Sequence, residues 1–93
     1  MARLLSEEEI ASRLEGSRWQ RQGDELVREW QLEDFASAME FVNRVAEEAE
    51  AANHHPDIFV HGWNKVRLSL TNHSAGGLTA ADFDMAERID RLG

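Results

Sequence analysis

The chain has 93 residues, 42% of them hydrophobic and 30% charged, with a formal net charge of −8. That length makes one domain, spanning residues 1–93, near the small end of what folds alone, and the composition is that of an ordered globular protein. The negative balance repels phosphate backbones and argues against direct nucleic-acid binding. There is no cysteine, hence no disulfide and no thiolate metal site, which fits a reducing cytoplasm. No apolar run approaches the roughly 20 residues that cross a bilayer. Met1–Leu5 is too short for a signal peptide before acidic residues begin at Glu7. A core this small supplies only a few kcal/mol of net stability, so self-association is expected.

In chain order, Ser6-Glu7-Glu8-Glu9 reads as a capping box, flanked by Leu5 and Ile10 at the positions of a hydrophobic staple. It opens a helix over about 7–15 that Gly16 stops. Ser17 to Gln22 is a weak strand around Trp19, and Gly23-Asp24 is a turn. Glu25 to Leu32 alternates, with Leu26, Trp30 and Leu32 on one side and Val27 and Glu29 on the other. From Glu33 to Asn53, the residues Phe35, Ala38, Met39, Val42, Val45, Ala46 and Ala49 recur every three or four positions, one continuous helical stripe with Asp34 as its cap. Pro56 disfavours helix at His55, so this helix ends near Asn53.

Ile58 to Trp63 is a short apolar strand, and Asn64 bends the chain. Lys65 to Thr71 alternates with Val66, Leu68 and Leu70 inward, a parity that puts His73 on the polar side. Ser74 to Gly77 is loop, and Thr79-Ala80-Ala81-Asp82 resembles a second capping box, opening a helix to about Arg91. The order α-β-β-α-β-β-α predicts an α+β fold, a four-stranded antiparallel sheet covered on one face by three helices.

Three of the four histidines stand at junctions: His54 and His55 where a helix meets Pro56, and His73 where a strand exits. Histidine is the side chain best suited to moving protons near neutral pH, so three of them across a cleft could supply an acid and a base for a dehydration. A pair of loop histidines is as readily plain polar surface. A zinc site is disfavoured because adjacent side chains diverge and thiolates are missing. His61 reads as an exposed or hydrogen-bonded strand residue, and Trp19, Trp30 and Trp63 read as core before ligand platform.

The set Glu50, His54-His55-Pro56, Trp63, His73 and Asp82, with the segment Trp63-Asn64-Lys65-Val66, resembles the pterin-4a-carbinolamine dehydratases, also called dimerisation cofactors of a homeodomain transcription factor. The gap between Pro56 and Trp63 is one residue longer than in many members, and Asn53 stands where many have aspartate. The resemblance implies dehydration of a 4a-hydroxytetrahydropterin to the quinonoid dihydropterin and water, in tetrahydropterin recycling, with no metal or organic cofactor. It implies acid–base work by His54, His55 and His73. One of His55 and His73 would accept a ring N–H proton and the other would protonate the departing hydroxyl. Asn53, Thr71, Asn72 and Ser74 would join the histidines around the pterin. Trp19, Glu50, Pro56, Trp63 and Asp82 would support the site by walling, orienting or capping. A homodimer or homotetramer joined through sheet edges and long helices is implied as well. The alternative is a weakly catalytic or non-catalytic member acting as a scaffold, a protein-binding module or a transcriptional coactivator.

Overall fold

In the computed structural model, which describes residues 3–92, the chain runs α1 (Glu7–Leu14), β1 (Gln20–Gln22), β2 (Glu25–Gln31), α2 (Phe35–Ala52), β3 (Asp57–His61), β4 (Lys65–Leu70) and α3 (Ala80–Asp90). The α+β order read from the sequence is the observed one. Met1 and Ala2, part of the stretch weighed as a signal peptide, lie outside the described residues.

The strands form one antiparallel sheet in the order β1-β2-β4-β3. Both β2 and β3 are antiparallel to the β4 between them, so they run parallel to each other and α2 is the crossover that joins them. This arrangement decides where the loops fall. The exit of α2, the start of β3, the end of β4 and the β1–β2 turn share one end of the sheet. The β3–β4 turn and the exit of β2 share the other.

One sheet face carries Leu26 and Trp30 from β2 and Val66, Leu68 and Leu70 from β4, all buried against the helices. Ala38, Phe41, Val45 and Ala49 of α2 and Phe83, Met85, Ala86 and Ile89 of α3 complete the core. Leu5 and Ile10 join it, as a hydrophobic staple should, and the Ser6–Glu9 capping box closes with both of its hydrogen bonds.

Several details depart from the pattern reading. β1 is only three residues long, and Trp19 stands just before it in the core, stacked edge-on against Trp30 at 5.6 Å. The long apolar stripe splits in two. Ala38, Val45 and Ala49 are buried, together with Phe41, which the periodic reading left out, while Phe35 and Met39 face outward, 55% and 36% exposed. A stripe with both faces apolar exceeds what one sheet can cover. Val27 sits on the open sheet face yet is buried beneath polar neighbours such as Gln20, Glu29 and Arg67. β3 ends at His61, and Gly62, Trp63 and Asn64 make the hairpin turn, leaving Trp63 62% exposed.

Candidate active site

The site begins with how α2 ends. The Asn53 N–H reaches back to Glu50 O and the His54 N–H to Ala49 O, the double closure of a helix that stops on a left-handed residue. Asn53 supplies that residue, at φ 50° and ψ 43°, a region asparagine tolerates better than most side chains. The chain then turns sharply through His54, His55 and Pro56 into β3.

His54 is mostly buried, with 16% of its side chain exposed, and its Nε2 lies 2.6 Å from Asp82 Oδ1. Asp82 is wholly buried at the start of α3. Its other oxygen, Oδ2, accepts from the Thr79 N–H at 2.8 Å and from the Thr79 hydroxyl at 3.3 Å. The reach-back half of the second capping box is therefore present. His55 lies on the outside, its side chain 57% exposed, and its Nε2 pairs with the exposed Glu50 one turn earlier in α2.

His73 arrives from the other side. β4 pairs with β3 as far as Ser69 opposite Asp57, so Thr71–His73 leave the sheet beside the incoming His54–Pro56. The strand parity read for His73 stops at Leu70. Asn72 begins a turn in which its side-chain oxygen accepts from the Ala75 N–H at 3.0 Å and its carbonyl from Gly76 N at 2.9 Å. His73 sits exposed on that turn. The three histidines thus gather at one end of the sheet, carried on two neighbouring connections.

The remaining expected contacts divide. Asn53 and Ser74 are exposed at the same end. The Thr71 hydroxyl donates to Asp24 O at 2.6 Å, and the Asn72 oxygen closes its own turn, so those two groups are committed to the protein. Asp24, in the β1–β2 turn, thereby anchors Thr71. Its carboxylate lies 3.7 Å from where a side chain on Gly77 would begin. Pro56 is in place, whereas Trp19 and Trp63 do not join the histidines. Trp19 donates its Nε1–H to Asp90, at the far end of α3 from Asp82. Trp63 caps the opposite end of the β3–β4 hairpin, on the order of 16 Å from His54–Pro56 at about 3.3 Å per strand residue. Among the described residues, no group of three or more histidine, cysteine or acidic side chains is placed to hold a metal ion.

A family model for pterin 4 alpha carbinolamine dehydratase matches residues 3–92. The chain belongs to that family. A relative bearing the dehydratase name in Roseiflexus sp. (strain RS-1) is 54% identical over 93 residues, 99% of each chain. Another in Nocardia farcinica is 51% identical over 90 residues, covering 96% of this chain and 94% of its own. Among solved structures, a transcriptional coactivator/pterin dehydratase from Brucella melitensis superposes with a TM-score of 0.89 at 30% identity, over 97% of this chain and 98% of its own. A pterin dehydratase-like protein described as a RuBisCO assembly factor in the alpha-carboxysome has a TM-score of 0.64 at 25% identity, over 81% of this chain and 86% of its own. One solved neighbour of this fold is thus described by an assembly role.

Proposed function

We propose that the chain is a 4a-hydroxytetrahydropterin dehydratase, with the work divided among His54, His55 and His73. The observation that carries this reading is the gathering of the three histidines at one end of the sheet, two of them already paired with carboxylates. In the reaction the pterin loses a hydroxyl from C4a and a proton from a ring nitrogen, and the hydroxyl leaves as water once it takes up a proton. The net products are one quinonoid dihydropterin and one water. One histidine accepts the ring proton, another protonates the leaving hydroxyl, and solvent exchange restores both. Such paired transfers typically contribute 10²–10⁴-fold each. Asn53 and Ser74, exposed beside the histidines, are available to the pterin's donor–acceptor edge. The working form is a cytoplasmic homodimer or homotetramer in tetrahydropterin recycling.

A second reading, a protein-binding or scaffold module, is favoured by the outward apolar half of α2 and by the assembly role described for one structural neighbour. One experiment separates the two. Freshly generated 4a-hydroxytetrahydropterin is followed by stopped-flow absorbance with wild type and His73→Ala. Acceleration by wild type that falls by on the order of 10²-fold in the variant supports the dehydratase. No acceleration by folded wild type moves the function to the scaffold reading.

A further inference from the structure

We infer that Asp82 is a positioning residue that holds His54 in a single tautomer, with the proton on Nε2 and Nδ1 left as the ring's acceptor. This deepens the dehydratase reading and rests on it for its catalytic meaning. The geometry of the carboxylate is decisive. Oδ2 is occupied by the Thr79 N–H and hydroxyl, which leaves Oδ1 to face the ring. Oδ1 faces only His54 Nε2, at 2.6 Å in a wholly buried setting. An ionised carboxylate has only acceptors to offer, so Nε2 must donate. A buried carboxylate without that donor would be left partly unpaired, which is costly.

The clamp is held from both sides. Thr79 is 2% exposed and bridges to Leu4, with the Leu5 N–H on Leu78 O at 2.9 Å, so the amino end of α3 cannot drift. The His54 backbone is fixed separately by its N–H on Ala49 O at 3.1 Å. The ring is therefore tied to α2 through its main chain and to α3 through Nε2. The other two histidines differ. His55 pairs with a glutamate whose side chain is 77% exposed, and His73 stands on an exposed turn. Only His54 has its proton inventory set by the fold. Nδ1 is then the atom it can present to a pterin N–H, as in other carboxylate–histidine pairs where the partner selects the tautomer.

The competing explanation is that Asp82 merely caps α3. Asp82→Asn separates the two, because the amide oxygen can still accept from Thr79 while its NH₂ turned toward His54 reverses that hydrogen bond. Ring-nitrogen NMR of His54 and pterin turnover are measured for wild type and Asp82→Asn, with thermal melts confirming that both are folded. The expected wild-type signature is a neutral ring protonated on Nε2. Asp82→Asn moves the proton to Nδ1 and lowers kcat by on the order of 10²-fold with KM little changed. A wild-type ring protonated on Nδ1, or wild-type kcat in Asp82→Asn, overturns the assignment. If wild type fails to accelerate dehydration, the dehydratase reading falls, and the ring-nitrogen spectra still decide whether Asp82 sets the tautomer.

Discussion

Asn53 shows how much of a site can depend on one backbone conformation. Asn53, at a position where the resemblance expects aspartate in many members, has a side chain that accepts the left-handed region. Its position requires that conformation, because the closure of α2 aims His54 toward Asp82. Asn53→Gly is therefore expected to leave stability nearly unchanged. Asn53→Val, forced to a positive φ, should cost about 1–2 kcal/mol in urea unfolding and reduce turnover with it. Equal stability of the two variants would remove the backbone argument. The place of His54 and His55 at the exit of α2 was legible from Pro56, whereas the parity read for His73 ended with β4 at Leu70. The division among the histidines was not legible, because Asp82 lies 28 positions from His54 and only packing brings them together.

At the scale of elements, local chemistry written in neighbouring residues was read correctly, and features set by tertiary packing were not. The capping box of α1 is an example of the first kind. Hydrogen bonding to the Arg3 guanidinium, then to the Ser6 N–H, lowers the Glu9 pKa from 4.5 to about 2. A depressed carboxylate stabilises above its unfolded pKa and loses that contribution as the pH falls through its folded one. Glu9 therefore contributes in full at neutral pH, less below about 4.5, and nothing below about 2. Glu9→Gln keeps an acceptor for the cap but removes the charge. The difference in melting temperature between wild type and Glu9→Gln should be largest near neutrality, narrow between pH 4.5 and 2, and shrink with salt. A difference independent of pH would show that the ion pair contributes nothing.

The β3–β4 hairpin is an example of the second kind. Trp63 sits at φ 58° directly after Gly62 at φ 54°, an unusual conformation for so bulky a side chain. Its place in the family pattern suggested a role near the histidines, but the hairpin carries it to the opposite end. Asn64 explains why the turn holds. It is buried, its side chain donates to Leu32 O at 3.0 Å, and its carbonyl accepts from Leu32 N at 2.7 Å. Trp63→Asn should relieve strain worth about 1 kcal/mol and leave kcat/KM for the pterin unchanged. A large loss of turnover in that variant would return Trp63 to the site.

Besides Leu4 and Trp63, the described residues leave large apolar side chains uncovered on α2 and on β3. Phe35 and Met39 lie one turn apart on α2, 55% and 36% exposed. Ile58 and Phe59, 38% and 57% exposed, occupy opposite faces of β3, an edge strand with unpaired backbone groups along one side. A chain of 93 residues buries a modest core, and these exposed apolar side chains are where self-association would be tested. The sequence had combined both halves of the α2 stripe into one, because periodicity identifies apolar positions but not which partner covers them. A second copy of the chain would cover the outward half and extend the sheet past β3. Sedimentation at micromolar concentration should then give a dimer or tetramer. Phe35→Glu with Met39→Glu should lower the assembly order, and Phe59→Lys should do so independently if the β3 edge is a separate contact. Wild type sedimenting as a monomer would reject self-association. Unchanged assembly in both variants would place the contact elsewhere. The histidines lie at the end of the sheet where α2 exits into β3, so Ile58 and Phe59 border the connection that carries His54 and His55, whereas Phe35 and Met39 stand at the amino end of α2, away from it. Loss of the β3-edge contact is therefore expected to lower turnover through the placement of that connection, while Asp82 still holds His54 within each subunit and loss of the Phe35–Met39 contact alone leaves turnover closer to wild type.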